Sequence, residues 1–248
     1  MTLDVFATVN GGSEASEAVK RSDAQLGIES QNQHQIKSEG IEFVDYPFSK
    51  EDQSFDEHCE TVAGIEPAVT VAPDIERGRD AQDVYEQARE LSDFADEVIV
   101  VPKSIHPGDV PEQWRVGLPL ASFGSDDEHQ ITDYHGCDSI HLLGGSPITQ
   151  LRAIKILHDR VDSADGAAVF KGASMGDVFA PTQFGPHTRD RRCWFDTGDD
   201  VGYYERVEAS LTNVHDALNN PGSAYSLDYD RPGESAQSRH PAQTQLVF

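Results

Sequence analysis

Cysteine is scarce in this chain: Cys59, Cys137 and Cys193 are the three in 248 residues, far apart and with no CxxC pair. An odd count at such spacing points to neither a disulfide framework nor a cysteine zinc site, so reduced thiols are expected. No run approaches the roughly 18 apolar residues that cross a membrane. The N-terminus, MTLDVFATVNGG, lacks the basic start and apolar stretch of a signal peptide. Neither a P-loop nor a GxGxxG is present, which removes the two commonest phosphate-cradling loops. A soluble cytoplasmic protein with no membrane partner is expected.

Basic residues are also few, 19 against 44 acidic ones, for a formal net charge of -25. The acids are scattered instead of gathered in a tail, which reads as adaptation to a high-salt cell interior. A Debye length of about 3 Å at 1 M salt lets such a surface stay folded and soluble. The same screening weakens the usual inference that an acidic protein avoids nucleic acid.

The length suits one barrel-sized domain. TLDVFATV (2 to 9) reads as a first strand, and the polar stretch up to residue 39 as a connection. From there β-prone runs recur at 40 to 48, 68 to 74, 97 to 104, 114 to 124, 139 to 145 and, less clearly, 160 to 166. Between them lie helical spacings. Val84, Ala88, Leu91 and Ala95 share one face, as do Ile148, Leu151, Ile154 and Ile156 or Leu157. Apolar strands alternating with amphipathic helices predict a parallel sheet covered by helices. Six or seven such units favour a trimmed or irregular (β/α)8 barrel over an open doubly wound sheet. DVFAP (177 to 181) is a candidate last strand, 201 to 218 a closing helix, and the body is expected over 40 to 218 with an irregular tail from 219 to 248.

Active sites of such barrels gather at the C-terminal ends of the strands. Those ends supply Asp45, Asp74, Lys103, Gly117, Ser122, Gly144 with Gly145, and Asp162 with Asp165. An aspartate just past a strand commonly caps the next helix, and that reading stays open for each of them. For Gly144 and Gly145 the choice is between a tight turn needing positive φ and close approach of backbone to a ligand. Lys103, followed by SIHPGDVP, reads as an exposed loop residue, and His129, His135 and His141 as loop histidines. Ser146 lacks the elbow pattern of a nucleophilic serine.

The order of these strand ends resembles that of the guanine transglycosylases, and more narrowly their DNA-acting branch in viruses, bacteria and salt-loving archaea. The likeness lies in motif order over about residues 40 to 195. FVDYPF matches the early aspartate near the base pocket at Asp45, VAPD a heterocycle-binding aspartate at Asp74, and RVGLPLAS the pocket-lining glycine at Gly117. LLGGSP, with Gly144 and Gly145, resembles the glycine-bearing strand end that precedes the nucleophile. VDSADG then places the nucleophile at Asp165, with Asp162 in reserve. The chain departs from the tRNA-acting relatives in having only Cys193 where they hold a zinc with three cysteines and a histidine. Its basic group, Arg189, Arg191 and Arg192, comes about twenty residues later than theirs. That group is a phosphate contact or a local salt-bridge cluster with Asp190 and Asp196.

The resemblance implies exchange of guanine in DNA, in preference to tRNA, for a 7-deazaguanine base, with no cofactor. Asp165 would form a covalent glycosyl-enzyme, Asp45 would handle protons at the base, and Asp74 would read the heterocycle. Two other readings remain open: a nucleosidase or hydrolase using the same carboxylates on a small molecule, and a non-catalytic barrel that binds nucleic acid.

Overall fold

Val5, Ala7 and Val9 lie on one side of strand β1 (Asp4–Val9), Phe6 and Thr8 on the other, and all five are buried. Burial on both faces is what a barrel strand requires. The computed structural model describes residues 2–10, 12–35, 40–47, 54–120, 129–181, 193–198 and 200–224. Ser122, Arg189, Arg191 and Arg192 lie outside them, as does the chain beyond 224.

In chain order the elements are β1, α1 (Ser13–Arg21), β2 (Gln25–Glu29), β3 (Ile41–Asp45), α2 (Phe55–Ile65), β4 (Val69–Val71), α3 (Ala81–Leu91), β5 (Glu97–Val100) and β6 (Arg115–Pro119). There follow β7 (Ile140–Leu143), α4 (Pro147–Leu157), β8 (Val161–Gly166), α5 (Ala168–Ser174), β9 (Asp177–Phe179), β10 (Trp194–Asp196) and α6 (Tyr203–Asn219). Strands β1 to β8 pair in parallel, each with the next, and β8 pairs with β1, so the sheet closes. This is a (β/α)8-type barrel. It is irregular: among the described residues, the connections after β2, β5 and β6 hold only 3-10 turns.

Three elements differ from the sequence reading. The polar stretch before residue 40 contains α1 and β2, so the barrel begins at Asp4. QLGIE was illegible as a strand because Gly27 and the polar ends Gln25 and Glu29 face inward. The less clear run at 160 to 166 does hold a strand, the six residues Val161–Gly166, and its interior positions, Ser163 and Asp165, are polar. DVFAP does not enter the barrel: β9 pairs antiparallel with β10 as a separate ribbon. On α4 the ambiguity resolves to Leu157, which is buried, while Ile156 is exposed.

Apolar side chains form two bodies. The larger lies between strands and helices; the smaller fills the barrel with Phe6, Phe43, Val69, Val71, Ile99, Val101 and Leu143. Phe43 stacks on Phe6, ring centroids 5.0 Å apart, and on its other neighbour His141 at 5.4 Å and 18°. Below them Arg115 closes the N-terminal end, paired with Glu97 and donating to Ser139 (3.2 Å) and Ser163 (2.7 Å).

Gly117 stands opposite His141 in this interior, and a Cβ there would meet Leu143, Val101 and Ile99 side chains at 2.8 to 2.9 Å. Its lack of a side chain therefore serves interior packing. Gly117→Ala is expected to cost about 1–3 kcal/mol, read from urea denaturation in molar salt, because a closed barrel has little room to relax.

Candidate functional site

Barrel geometry brings four carboxylates to the mouth. Asp45 ends β3 beside Glu29, its register partner at the end of β2. Asp165 lies near the end of β8, level with Phe6 of β1. Asp74 is carried past β4 by a continued pairing in which Ile75 N–H donates to Val101 (2.9 Å) and Ser104 N–H to Ile75 (2.8 Å). That pairing sets Lys103 beside Asp74.

None of these aspartates caps a helix. Ser54 caps α2, Asp80 caps α3, and α5 has no side-chain cap. Each carboxylate is instead held in a different way. Asp165 is 5 % exposed and collects three donors: Gly144 N–H on Oδ1 at 2.8 Å, His141 Nε2 on Oδ1 at 3.3 Å, and the Thr8 hydroxyl on Oδ2 at 3.2 Å.

Asp74, 4 % exposed, pairs through Oδ2 with the Lys103 ammonium, while its Oδ1 has no hydrogen-bond partner. Burial pushes Asp74 up to about 6, against the pull of Lys103. For Lys103, burial alone would lower the ammonium, but Asp74 and then Glu76 raise it above the ordinary lysine value. Its side chain is only 14 % exposed, so the loop residue expected from the sequence is a mouth residue.

Asp45 is half-buried, with Oδ1 shut from water and unpartnered. Burial, then the charges of Asp165, Glu29 and Asp74, raise its carboxyl well above the usual range. The site thus sets a carboxyl of raised pKa beside an amply bonded one, the separation of environments that acid and base roles require.

The turn after β7 is built around Asp165. Gly144 and Gly145 have φ of 62° and 78°, the left-handed region, and a Cβ on Gly145 would sit 2.8 Å from Leu120 Cβ. This conformation aims Gly144 N–H at Asp165. Gln150, buried on α4, donates to Gly144 O (3.0 Å) and Asp165 O (2.7 Å), clamping turn to strand. Ser146 caps α4, accepting from Thr149 N–H at 3.2 Å, and Pro147 takes the first helical position.

Asp162 is the expected residue that the fold does not bring to the mouth. It sits at the start of β8, at the opposite end of the barrel, where the Ser139 hydroxyl bonds it. The sequence reading missed Glu29, Thr8, Gln150 and His141. His141 is no loop residue: it lies within β7, with no exposed surface. Its signal was the period of two, which puts it on the Leu143 face; His129 and His135 lie elsewhere, near Asp133 and the Ile156 carbonyl.

Among the described residues no group of three or more His, Cys, Asp and Glu is arranged to hold a metal ion, and no helix is long and apolar enough to cross a membrane. Two clefts of about 420 and 410 Å³ open around the starts of the strands. They hold none of the mouth carboxylates.

The raised Asp74 carboxyl has a consequence for stability. Folded Asp74 binds its proton more tightly than the unfolded group at 3.8, so its contribution is lost as pH rises from about 4 to about 6. Across that window the stability difference between wild type and Asp74→Asn should change by about 3 kcal/mol in favour of the variant, measured by urea denaturation in molar salt.

A search of curated protein sequences finds no match. Among solved structures, a "putative fructose-1,6-biphosphate aldolase" from Coccidioides immitis is similar, with a TM-score of 0.56 and 12% identity over 90% of this chain and 93% of that one. At that identity the likeness is one of fold, and it agrees with the closed eight-stranded barrel. A family model matches residues 20–219, nearly the whole barrel, and the chain accordingly belongs to that family, DUF6610, a family of unknown function.

Proposed function

We propose that this barrel exchanges guanine in DNA for a 7-deazaguanine base through a covalent intermediate on Asp165. The observation that carries the reading is Asp165 itself: a carboxylate buried at the mouth, oriented by three donors, near Asp45, whose pKa is raised.

In the first displacement an Asp165 oxygen attacks C1′ of the flipped-out nucleotide, the C1′–N9 bond breaks, and guanine leaves with its electron pair and a proton from Asp45. In the second, N9 of the incoming base attacks C1′, its proton passes to Asp45, and the Asp165–C1′ bond breaks. Two inversions give retention. An acid with a raised pKa suits the first step because it still holds its proton where an ordinary carboxyl does not. Asp74 Oδ1, buried and without a hydrogen-bond partner, is suited to accept a heterocycle N–H.

DNA is preferred to tRNA on the sequence resemblance, which lacks the zinc-binding segment of the tRNA-acting branch. The fold neighbour is named as an aldolase, and Schiff-base aldol chemistry needs a free amine near neutrality. Lys103 does not favour it, since Asp74 and Glu76 hold it as an ammonium.

The test is base exchange in molar salt, with guanine-containing DNA or tRNA and a labelled 7-deazaguanine base, followed by nucleoside mass spectrometry. Label is expected in DNA. Asp165→Asn should abolish the covalent adduct and exchange while leaving the melting curve in place, and Asp45→Asn should slow exchange by about 10²–10⁴-fold. Free guanine without incorporated label would replace the reading with a nucleosidase, and label or release from neither polymer would overturn it.

A further inference from the structure

The mouth and the floor of the barrel are joined by a chain of buried hydrogen bonds. Arg115 Nη1 lies 2.7 Å from Ser163 Oγ, Ser163 Oγ lies 2.7 Å from His141 Nδ1, and His141 Nε2 lies 3.3 Å from Asp165 Oδ1. Ser163 and His141 have no exposed surface. The polarity of this chain follows from its first member.

A guanidinium only donates, so Ser163 Oγ accepts from Arg115. The Ser163 hydroxyl proton then has one partner among the described residues, His141 Nδ1. With Nδ1 as acceptor, neutral His141 carries its proton on Nε2 and donates it to Asp165. The other tautomer would leave the serine proton unspent in a dry interior and set a nitrogen lone pair against a carboxylate oxygen. The imidazolium is disfavoured as well. Burial lowers the His141 pKa, and nearby Arg115 adds to that, against the opposing pull of Asp165 and Glu97.

Resting on the transglycosylase reading, we infer that His141 is the positioning residue of the reaction. Its Nε2–H, fixed by the Arg115–Ser163 chain, pins Asp165 Oδ1 so that Oδ2 is the attacking oxygen. Oδ1 takes two donors, His141 and Gly144 N–H, whereas Oδ2 takes one, the 3.2 Å Thr8 bond. The oxygen with the more unspent lone-pair capacity is the better nucleophile. Stacking on Phe43 and the tilted contact with Phe6 hold the imidazole plane while it does this. Burying a polar ring among two phenylalanines makes sense only if both its nitrogens are bonded, and they are.

Two measurements test this. Nitrogen-15 NMR of the histidine rings, with the His141 signals assigned by their loss in His141→Gln, reads the tautomer without any substrate. A protonated Nε2 and bare Nδ1 are expected; a protonated Nδ1 overturns the inference. Single-turnover adduct formation on guanine-containing DNA is then compared in His141→Met and His141→Gln, both close to histidine in volume. The methionine variant, with no donor, should form adduct about 10- to 100-fold more slowly at unchanged DNA affinity. The glutamine variant, whose amide N–H reaches toward the same oxygen, should recover most of that loss. Equal loss in both variants, or none in His141→Met, overturns the positioning role. Wild-type protein that forms no adduct at all would instead remove the transglycosylase reading, while the ring spectrum still decides which way the hydrogen-bond chain runs.

Discussion

A carboxylate at the top of a closed barrel is the constraint on which the arrangement of the mouth depends. Asp165 sits where water hardly reaches, and an ionised group there is tolerable only if protein donors replace its hydration. Those donors come from two regions remote from each other in sequence: Thr8 on β1, and His141 with the Gly144 backbone on and just after β7. Closure of the sheet between β8 and β1 brings the first within reach, and the left-handed turn brings the last. Gln150 then fixes both carbonyls of the turn and the strand end. Two glycines, a glutamine and a histidine thus converge on one carboxylate and on the turn that faces it.

The three mouth aspartates show how one residue type acquires three characters. Asp165 is supplied with donors. Asp74 is supplied with a cation, yet its burial outweighs Lys103 and leaves the carboxyl raised to about 6. Asp45 is given no cation and only the Tyr46 backbone as a donor, and the charges around it add to the burial in raising it. Burial comes first in raising Asp45, and the negative charges of Asp165, Glu29 and Asp74 add to it, so the neighbouring carboxylates make its ionisation harder still.

Much of this architecture was legible in the sequence because the barrel's outer faces are regular. Val84, Ala88 and Leu91, or Ile148, Leu151 and Ile154, show helical spacing since each helix buries one stripe against the strands. The aspartates could be placed at strand ends for the same reason: apolar runs stop where the chain leaves the barrel wall. Inward-facing polar positions were what defeated the reading. Glu29 vanished because β2 presents Gln25, Gly27 and Glu29 to the interior and so looks like a loop. Asp162 and Asp165 are three residues apart in VDSADG, and only the strand's true extent, with odd positions inward, sends one to the mouth and leaves the other at the floor. His141 lies in an apolar strand, and the period of two puts it on the Leu143 face without telling what its ring nitrogens bond. Its partners Ser163 and Asp165 arrive from 22 and 24 residues away.

The charge of the whole chain bears on what the mouth can take. With a formal net charge of -25, an anionic substrate approaches against the field unless salt screens it, and at 1 M salt repulsion dies within about 3 Å. Beyond that distance the polymer's phosphates feel little of the acidic surface; inside it, contact is decided group by group. At the mouth the groups are carboxylates, and Lys103 is already held by two of them. A phosphate is therefore poorly matched to the innermost position, whereas a neutral heterocycle rich in N–H donors is well matched to Asp45 and Asp74. On the proposed base-exchange reading, neutral base inside and phosphates outside is the division that these residues would favour in molar salt.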